Sequence, residues 1–277
     1  DAAAMFVEAG YGNEALEALE LAQEAVSELE DPEDAATRYY LTARAQLLLG
    51  NPGLALDAIQ NSLRAEREGA EPAHGTPLVQ GQALMQLGHP HEAIEAFREA
   101  VRRGEDSDKS YALHELSVAH LESGELAEAE AVLREVVRDP EYGYLGEAWG
   151  DLAEVLYRLG RYNEAQQAAR EAIAQDALSA GHLILGNLAY DLLHLEEALE
   201  HYTIAADEAQ EGARDWITAQ QMVVDTLAQL NFRRPEEILS RAEAVLPYIH
   251  QGDEWYQTLS SYVERARSLM GGSRTLN

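Results

Sequence analysis

Histidines and acids are the residues of this chain best suited to chemistry, and their spacing decides what they can hold. His114-Glu115-Leu116-Ser117-Val118-Ala119-His120 sets two histidines around a glutamate. A zinc-protease helix needs its histidines four apart, so that both reach one ion from one face. Here they are six apart, which turns them well away from each other on a helix. His89-Pro90-His91-Glu92 offers two ligands in a turn with no obvious third. A solvated turn, or a groove contact, is the plainer reading of that pair. No glycine-rich phosphate loop follows a strand, since Gly181 and Gly186 fall inside a helical pattern. With 50 Asp and Glu residues, carboxylate pairs arise by chance and signal no acid–base work. The absence of cysteine excludes a disulfide framework and thiol chemistry. The chain therefore reads as a non-enzyme without cofactor or metal.

The elements behind these residues repeat. A turn residue, a short bend, an acid or Asn and then Ala recur as Gly10-Tyr-Gly-Asn13-Glu14-Ala15, Gly50 to Ala55, Gly88 to Ala93, Gly124 to Ala129, Gly160 to Ala165 and Leu193 to Ala198. A degraded copy runs from Phe232 to Ile238. Successive copies lie 33 to 40 residues apart, which is the length of two helices and two turns. Apolar side chains recur at spacings of three and four on both sides of each copy, as in Ala93, Ile94, Phe97, Ala100 and Val101. No run alternates with period two, so strands are not expected.

Trp149-Gly-Asp-Leu152-Ala153, Tyr157, Gly160-Arg-Tyr162-Asn163-Glu164-Ala165 and Ala172 resemble the tetratricopeptide repeat, and so do Leu185-Gly186, Tyr190, Ala198, Tyr202 and Ala205. The resemblance covers roughly residues 1–250. It implies an all-α, right-handed solenoid of about fifteen helices, with units near 1–33, 34–72, 73–106, 107–142, 143–177, 178–212 and 213–250. A capping helix is expected over 251–270, carrying Trp255, Leu259, Tyr262, Ala266 and Leu269 on one side, and a loose tail over 271–277. At the family spacing the first helix lacks about a turn, so a segment before Asp1 is expected. Small residues stand twelve before each aligned Ala: Ala43, Gly81, Ser117, Ala153 and Gly186. In the family such residues sit where the two helices of a unit cross, which lets their axes approach within roughly 8–10 Å.

The resemblance also implies a ligand groove lined by the first helix of each unit. At about 100° per residue, offsets of −6, −3, +1, +4 and +5 from the small residue fall on one flank. They select Tyr40 and Arg44, then Gln82, then Tyr111 and His114, then Glu154, Tyr157 and Arg158, and finally Asn187, Tyr190 and Asp191. Tyr and Arg are common anchors of protein interfaces, so a peptide or helix suits this stripe. Packing between neighbouring first helices is the alternative, most of all for Tyr157 and Tyr190 and less for Tyr40 and Tyr111. Asn187 matches a groove Asn that holds a ligand backbone in the family. The lysine-rich clamp for acidic chain ends is missing, and Arg44 and Arg158 are the bases on the stripe.

Charge narrows the partner. The net charge is −30, and Lys109 is the one lysine. Nucleic acid is excluded as a direct ligand, because phosphate binding needs clustered positive charge. Residues 1–37 hold eleven acids and no base, which is either a solvated face or a dock for a basic partner. No apolar run reaches the roughly 18 residues of a membrane span. The expected role is a protein- or peptide-binding scaffold in the cytoplasm, with homo-oligomerisation compatible. The alternative is a peptide-sensing regulator that changes superhelical pitch on binding, favoured by the units near 40 residues.

Overall fold

Glycine or a left-handed residue ends almost every second helical run, and those stops cut the chain into hairpins. The computed structural model describes residues 2–25, 31–71, 75–104 and 106–272. It is helical throughout, with no strand among the described residues. The helices pair as α1 (Ala2–Glu8) with α2 (Gly12–Ala25), α3 (Pro32–Leu48) with α4 (Pro52–Glu68), α5 (Gly75–Gln86) with α6 (Pro90–Arg103) and α7 (Asp106–Glu122) with α8 (Leu126–Val136). The second group is α9 (Leu145–Arg158) with α10 (Tyr162–Ala174), α11 (Leu178–Asp191) with α12 (Leu195–Glu208) and α13 (Arg214–Gln229) with α14 (Pro235–Val245). A single 3₁₀ turn, Leu246–Tyr248, leads to the last helix, α15 (Glu254–Gly272). That helix runs two residues past the expected end at 270, and the rest of the expected tail, 273–277, lies outside the described residues.

The chain divides into two compact units, Asp1–Tyr142 and Gly143–Asn277, each a stack of such hairpins. Within each unit a helix packs on its hairpin partner and on the next hairpin. The aligned positions explain why. Ala15, Ala55, Ala93, Ala129, Ala165, Ala198 and Ile238 are all completely buried. A methyl or short branched group there lets the second helix of a hairpin lie close against its neighbours. The small residues opposite behave alike. A Cβ on Gly81 would stand 2.4 Å from Cε1 of Phe97, and one on Gly186 would stand 2.6 Å from the Tyr202 ring. Both rings are fully buried, so each glycine is the seat of an aromatic from the partner helix.

The turns follow from backbone geometry. Gly10, Gly50, Gly88, Gly124 and Gly160 all have φ between 71° and 80°, the left-handed region that closes a helix end without steric cost for glycine. At Gly50 the amide of Gly50 donates to the Leu47 carbonyl and that of Asn51 to the Gln46 carbonyl, which satisfies two carbonyls left over at the end of α3. Pro52, Pro90 and Pro235 start the following helices at the first position, where a missing N–H is harmless.

Candidate functional site

In the first unit the first helices of four hairpins turn a common face outward, and two recesses lie on it. One, of about 510 Å3, is bordered by Tyr40 and Arg44 of α3, Gln82 of α5 and Tyr111 of α7, with Glu8 of α1 at its edge. The other, of about 420 Å3, adds Val7, Leu47, Met85 and Glu115. The polar groups are held in place by one another. Arg44 Nη1 donates to Glu8 Oε1 at 2.6 Å, and its guanidinium lies 5.8 Å from the Tyr40 ring centre. Gln82 Nε2 donates to the Tyr111 hydroxyl at 3.1 Å and to Glu115 Oε1 at 3.0 Å. Gly75 makes room for Tyr40, because a Cβ there would stand 2.3 Å from the phenol oxygen. His114 is engaged within the chain instead. Its Nδ1 shares a 2.8 Å hydrogen bond with the Tyr142 hydroxyl, and the rings meet edge to face.

In the second unit the same face is a ladder of tyrosines and aspartates. Tyr157 on α9 donates to Asp191 on α11 at 2.8 Å. Tyr190 on α11 donates to Asp225 on α13, and Tyr262 on α15 donates to the other oxygen of Asp225 at 2.8 Å. Gln229 donates to Asp225 as well, at 3.0 Å. Burial and the aspartate hydrogen bonds push the Tyr157 and Tyr190 phenols far above the usual tyrosine value, and that of Tyr262 up to about 12. The phenols are thus fixed donors at any ordinary pH. Asn187 uses its Oδ1 to accept from Tyr202 at 2.8 Å. Towards the start of α13, Arg214 reaches Glu154 at 3.9 Å and Arg158 reaches it at 3.5 Å. Burial raises the carboxyls of Glu154 and Asp215, and the Asp151 charge raises both further. On this face of the second unit the carboxylates thus outnumber the two arginines.

The histidines whose spacing hints at a metal have local partners. His89 Nδ1 meets Glu92 at 2.8 Å, His91 Nδ1 lies 3.6 Å from Glu125, and the buried His120 meets Glu125 at 2.6 Å. Among the described residues no group of three His, Asp or Glu is placed to hold a metal ion, and no helix is long and apolar enough to cross a membrane.

A sequence model of the tetratricopeptide repeat matches residues 78–143 and 150–213. Over those two stretches the chain carries tetratricopeptide repeats. Its solved structural neighbours share the fold at low identity. Pseudomonas aeruginosa pilF is 16% identical, with 84% of this chain and 99% of that one covered and a TM-score of 0.62. RapI in its apo form is 15% identical, with 98% and 96% covered and a TM-score of 0.58. A chain of the APC/C hetero-tetramer Cut9-Hcn1 is 14% identical, with 95% of this chain covered and a TM-score of 0.68; this chain spans 48% of its length. No curated protein matches the sequence. Tetratricopeptide folds serve in general as protein-interaction scaffolds.

Within the repeats, the structure brings Tyr40, Arg44, Gln82 and Tyr111 together around the first unit's recesses. It brings Glu154, Tyr157, Arg158, Asn187, Tyr190 and Asp191 onto neighbouring first helices of the second unit, most of them engaged by one another or by the next repeat. The stripe missed Glu8, Glu115, Asp225 and Tyr262, the partners that hold it. A signal existed: Tyr157 and Asp191, Tyr190 and Asp225, and Arg44 and Glu8 are each one repeat length apart.

Proposed function

We propose that this repeat protein is a non-enzymatic scaffold that takes a peptide or extended protein segment on the first-helix face of its first unit. The observation that carries this reading is the pair of recesses bordered by Tyr40, Arg44, Gln82 and Tyr111. They combine apolar floor, from Leu47, Leu78 and Met85, with side chains able to donate and accept along an extended backbone. Glu8 and Glu115 at the edges, and the −30 charge of the whole chain, favour a segment with basic residues. The second unit's ladder uses its phenols on its own aspartates.

Peptides selected from a random display library against the wild-type chain test this. Their affinities are then measured on the double variant Arg44→Ala, Gln82→Ala. A loss of about 1–3 kcal/mol per anchor is expected, with an unchanged melting temperature. Selected peptides that bind the double variant as tightly as the wild type would place the site elsewhere.

A further inference from the structure

The sixth repeat breaks its own turn rule, and the break sits beside a recess. Five of the hairpin turns place glycine in the left-handed region, from Gly10 to Gly160. The turn between α11 and α12 makes the same hydrogen bonds, with the amide of Leu193 donating to the Tyr190 carbonyl and that of His194 to Ala189. Yet the left-handed position holds Leu193, at φ 59°. A leucine there is strained, because its Cβ crowds the following carbonyl. The seventh turn also places a large residue so, Phe232 at φ 56°. Phe232 is buried, stacks edge to face with Tyr262 and lies under the Arg265 guanidinium at 4.2 Å, so packing within the chain offsets its strain. Leu193 has no such return: it is 74% exposed, and Leu192 beside it is 68% exposed. Strain that the chain itself does not offset is characteristic of functional positions.

Next to this turn is a recess of about 630 Å3, lined by Tyr162, Asn163, Gln166, Leu188, Asp191 and Leu192. Its floor is apolar and its rim holds two side-chain amides and a carboxylate. Tyr162 is half exposed and tilts against Tyr157 at 5.8 Å between ring centres. The one charged side chain in this lining is acidic. Asp191 is exposed and accepts one hydrogen bond, from Tyr157, while Arg161 beside Tyr162 is already paired with Glu164 at 2.6 Å. An acidic segment would be repelled, and a basic one would meet Asp191 at the rim.

We infer that the turn edge of the fifth and sixth repeats is a second interaction surface, which takes a short protein segment whose large apolar residue enters the recess between flanking lysines or arginines. Leu192 lines the recess, and the exposed Leu193 follows it in the turn. The surface is separate from the first-helix face of the first unit, so either can fail without the other.

The probe is a fluorescein-labelled hexapeptide with two leucines between two pairs of lysines. Two controls replace its lysines by glutamates or its leucines by serines. Saturable binding of the probe alone is expected, with backbone amide shifts centred on 162–166 and 188–193. Leu193→Gly relieves the backbone strain, so it should raise the melting temperature by about 2–4 °C and weaken the probe about tenfold. Leu192→Ser should weaken it similarly without that gain. The Arg44→Ala, Gln82→Ala variant should bind it normally. Absent probe binding, equal binding of the glutamate peptide, shifts centred on Glu154 and Asp225, or unchanged affinity in Leu193→Gly would each overturn the assignment.

Discussion

At the scale of single residues, two partly buried ionisable groups set testable limits on this fold. Glu66 of α4 is only 8% exposed, and the guanidinium of Arg103 on α6 holds both its oxygens, at 3.2 and 3.3 Å. Arg103 is shared with Glu99 at 2.7 Å, whose carboxyl is held below its ordinary value first by Arg103 and then by Arg102. Arg103→Met keeps the apolar stem and removes the charge, which strips the buried Glu66 of this cation. A loss of about 2 kcal/mol is expected in denaturant melts, below the 3–5 kcal/mol typical of a fully buried pair because Arg103 is partly exposed. The second group is His182 on α11. Its Nδ1 lies 2.8 Å from Nδ1 of His201 on α12, with ring centres 5.0 Å apart, so the two nitrogens share one proton. Burial first, and then the His201 charge, depress the pKa of His182, while Glu200 and Glu208 on α12 act against the shift. A histidine with a depressed folded pKa is neutral in the fold and takes up a proton on unfolding. Its contribution is complete above the unfolded value of about 6.5, and it is lost as pH falls from there through the lower folded value. Between pH 7.5 and about pH 5 the melting temperature of the wild type should therefore fall relative to that of His182→Gln, whatever opposite trend the raised carboxyls of Glu154 and Asp215 add to both. An identical slope in the variant would show that other groups dominate.

At the scale of helices, the packing was legible because one short phrase recurs, and each copy marks a position with no space to spare. The complete burial of Ala15 through Ile238 is the physical content of that phrase. The glycine partners can be weighed against one another. Gly81→Ala and Gly186→Leu force Phe97 and Tyr202 to move, and each should lose about 1–3 kcal/mol, with Gly186→Leu the worse. Gly53 in α4 faces open space, so Gly53→Ala should be neutral or gain up to about 1 kcal/mol from helix propensity. A common destabilisation in all three would mean that helix crossing does not set the glycine positions. The proposed binding face was less legible than the core. Its stripe follows from the helical angle, but whether a tyrosine borders a recess or reaches an aspartate depends on the residue one repeat away. Tyr157 and Tyr190 reach Asp191 and Asp225 across neighbouring hairpins, whereas Tyr40 and Tyr111 border recesses. Leu193 was visible only as a missing glycine, and its strain needed the backbone angle to be seen.

At the scale of the whole molecule, the −30 charge is an excess that no single ion pair balances. Many arginines are already committed within a helix or between neighbours, as with Arg98 and Glu95, Arg134 and Glu130, and Arg241 and Glu237. Each such pair is worth little in water, about 0–1 kcal/mol. The excess acids repel one another, and they crowd most densely in residues 1–37, where eleven acids face no base from their own segment. Arg44 supplies one cation to this region by pairing with Glu8. Repulsion between exposed charges is screened by salt over about 10 Å at 0.1 M. Stability at pH 7 should thus rise between about 10 mM and about 300 mM NaCl, and amide exchange in α2 and α3 should slow more than in the second unit. The attractive pairs are screened by the same salt, so the sign of the change measures which population is larger. Faster exchange in α2 and α3 at high salt would show that pairs such as Arg44 with Glu8 outweigh the repulsion. Equal exchange at both salts would show that the acids are spaced widely enough to store no strain, leaving their charge free to steer a basic partner towards the recesses of the first unit.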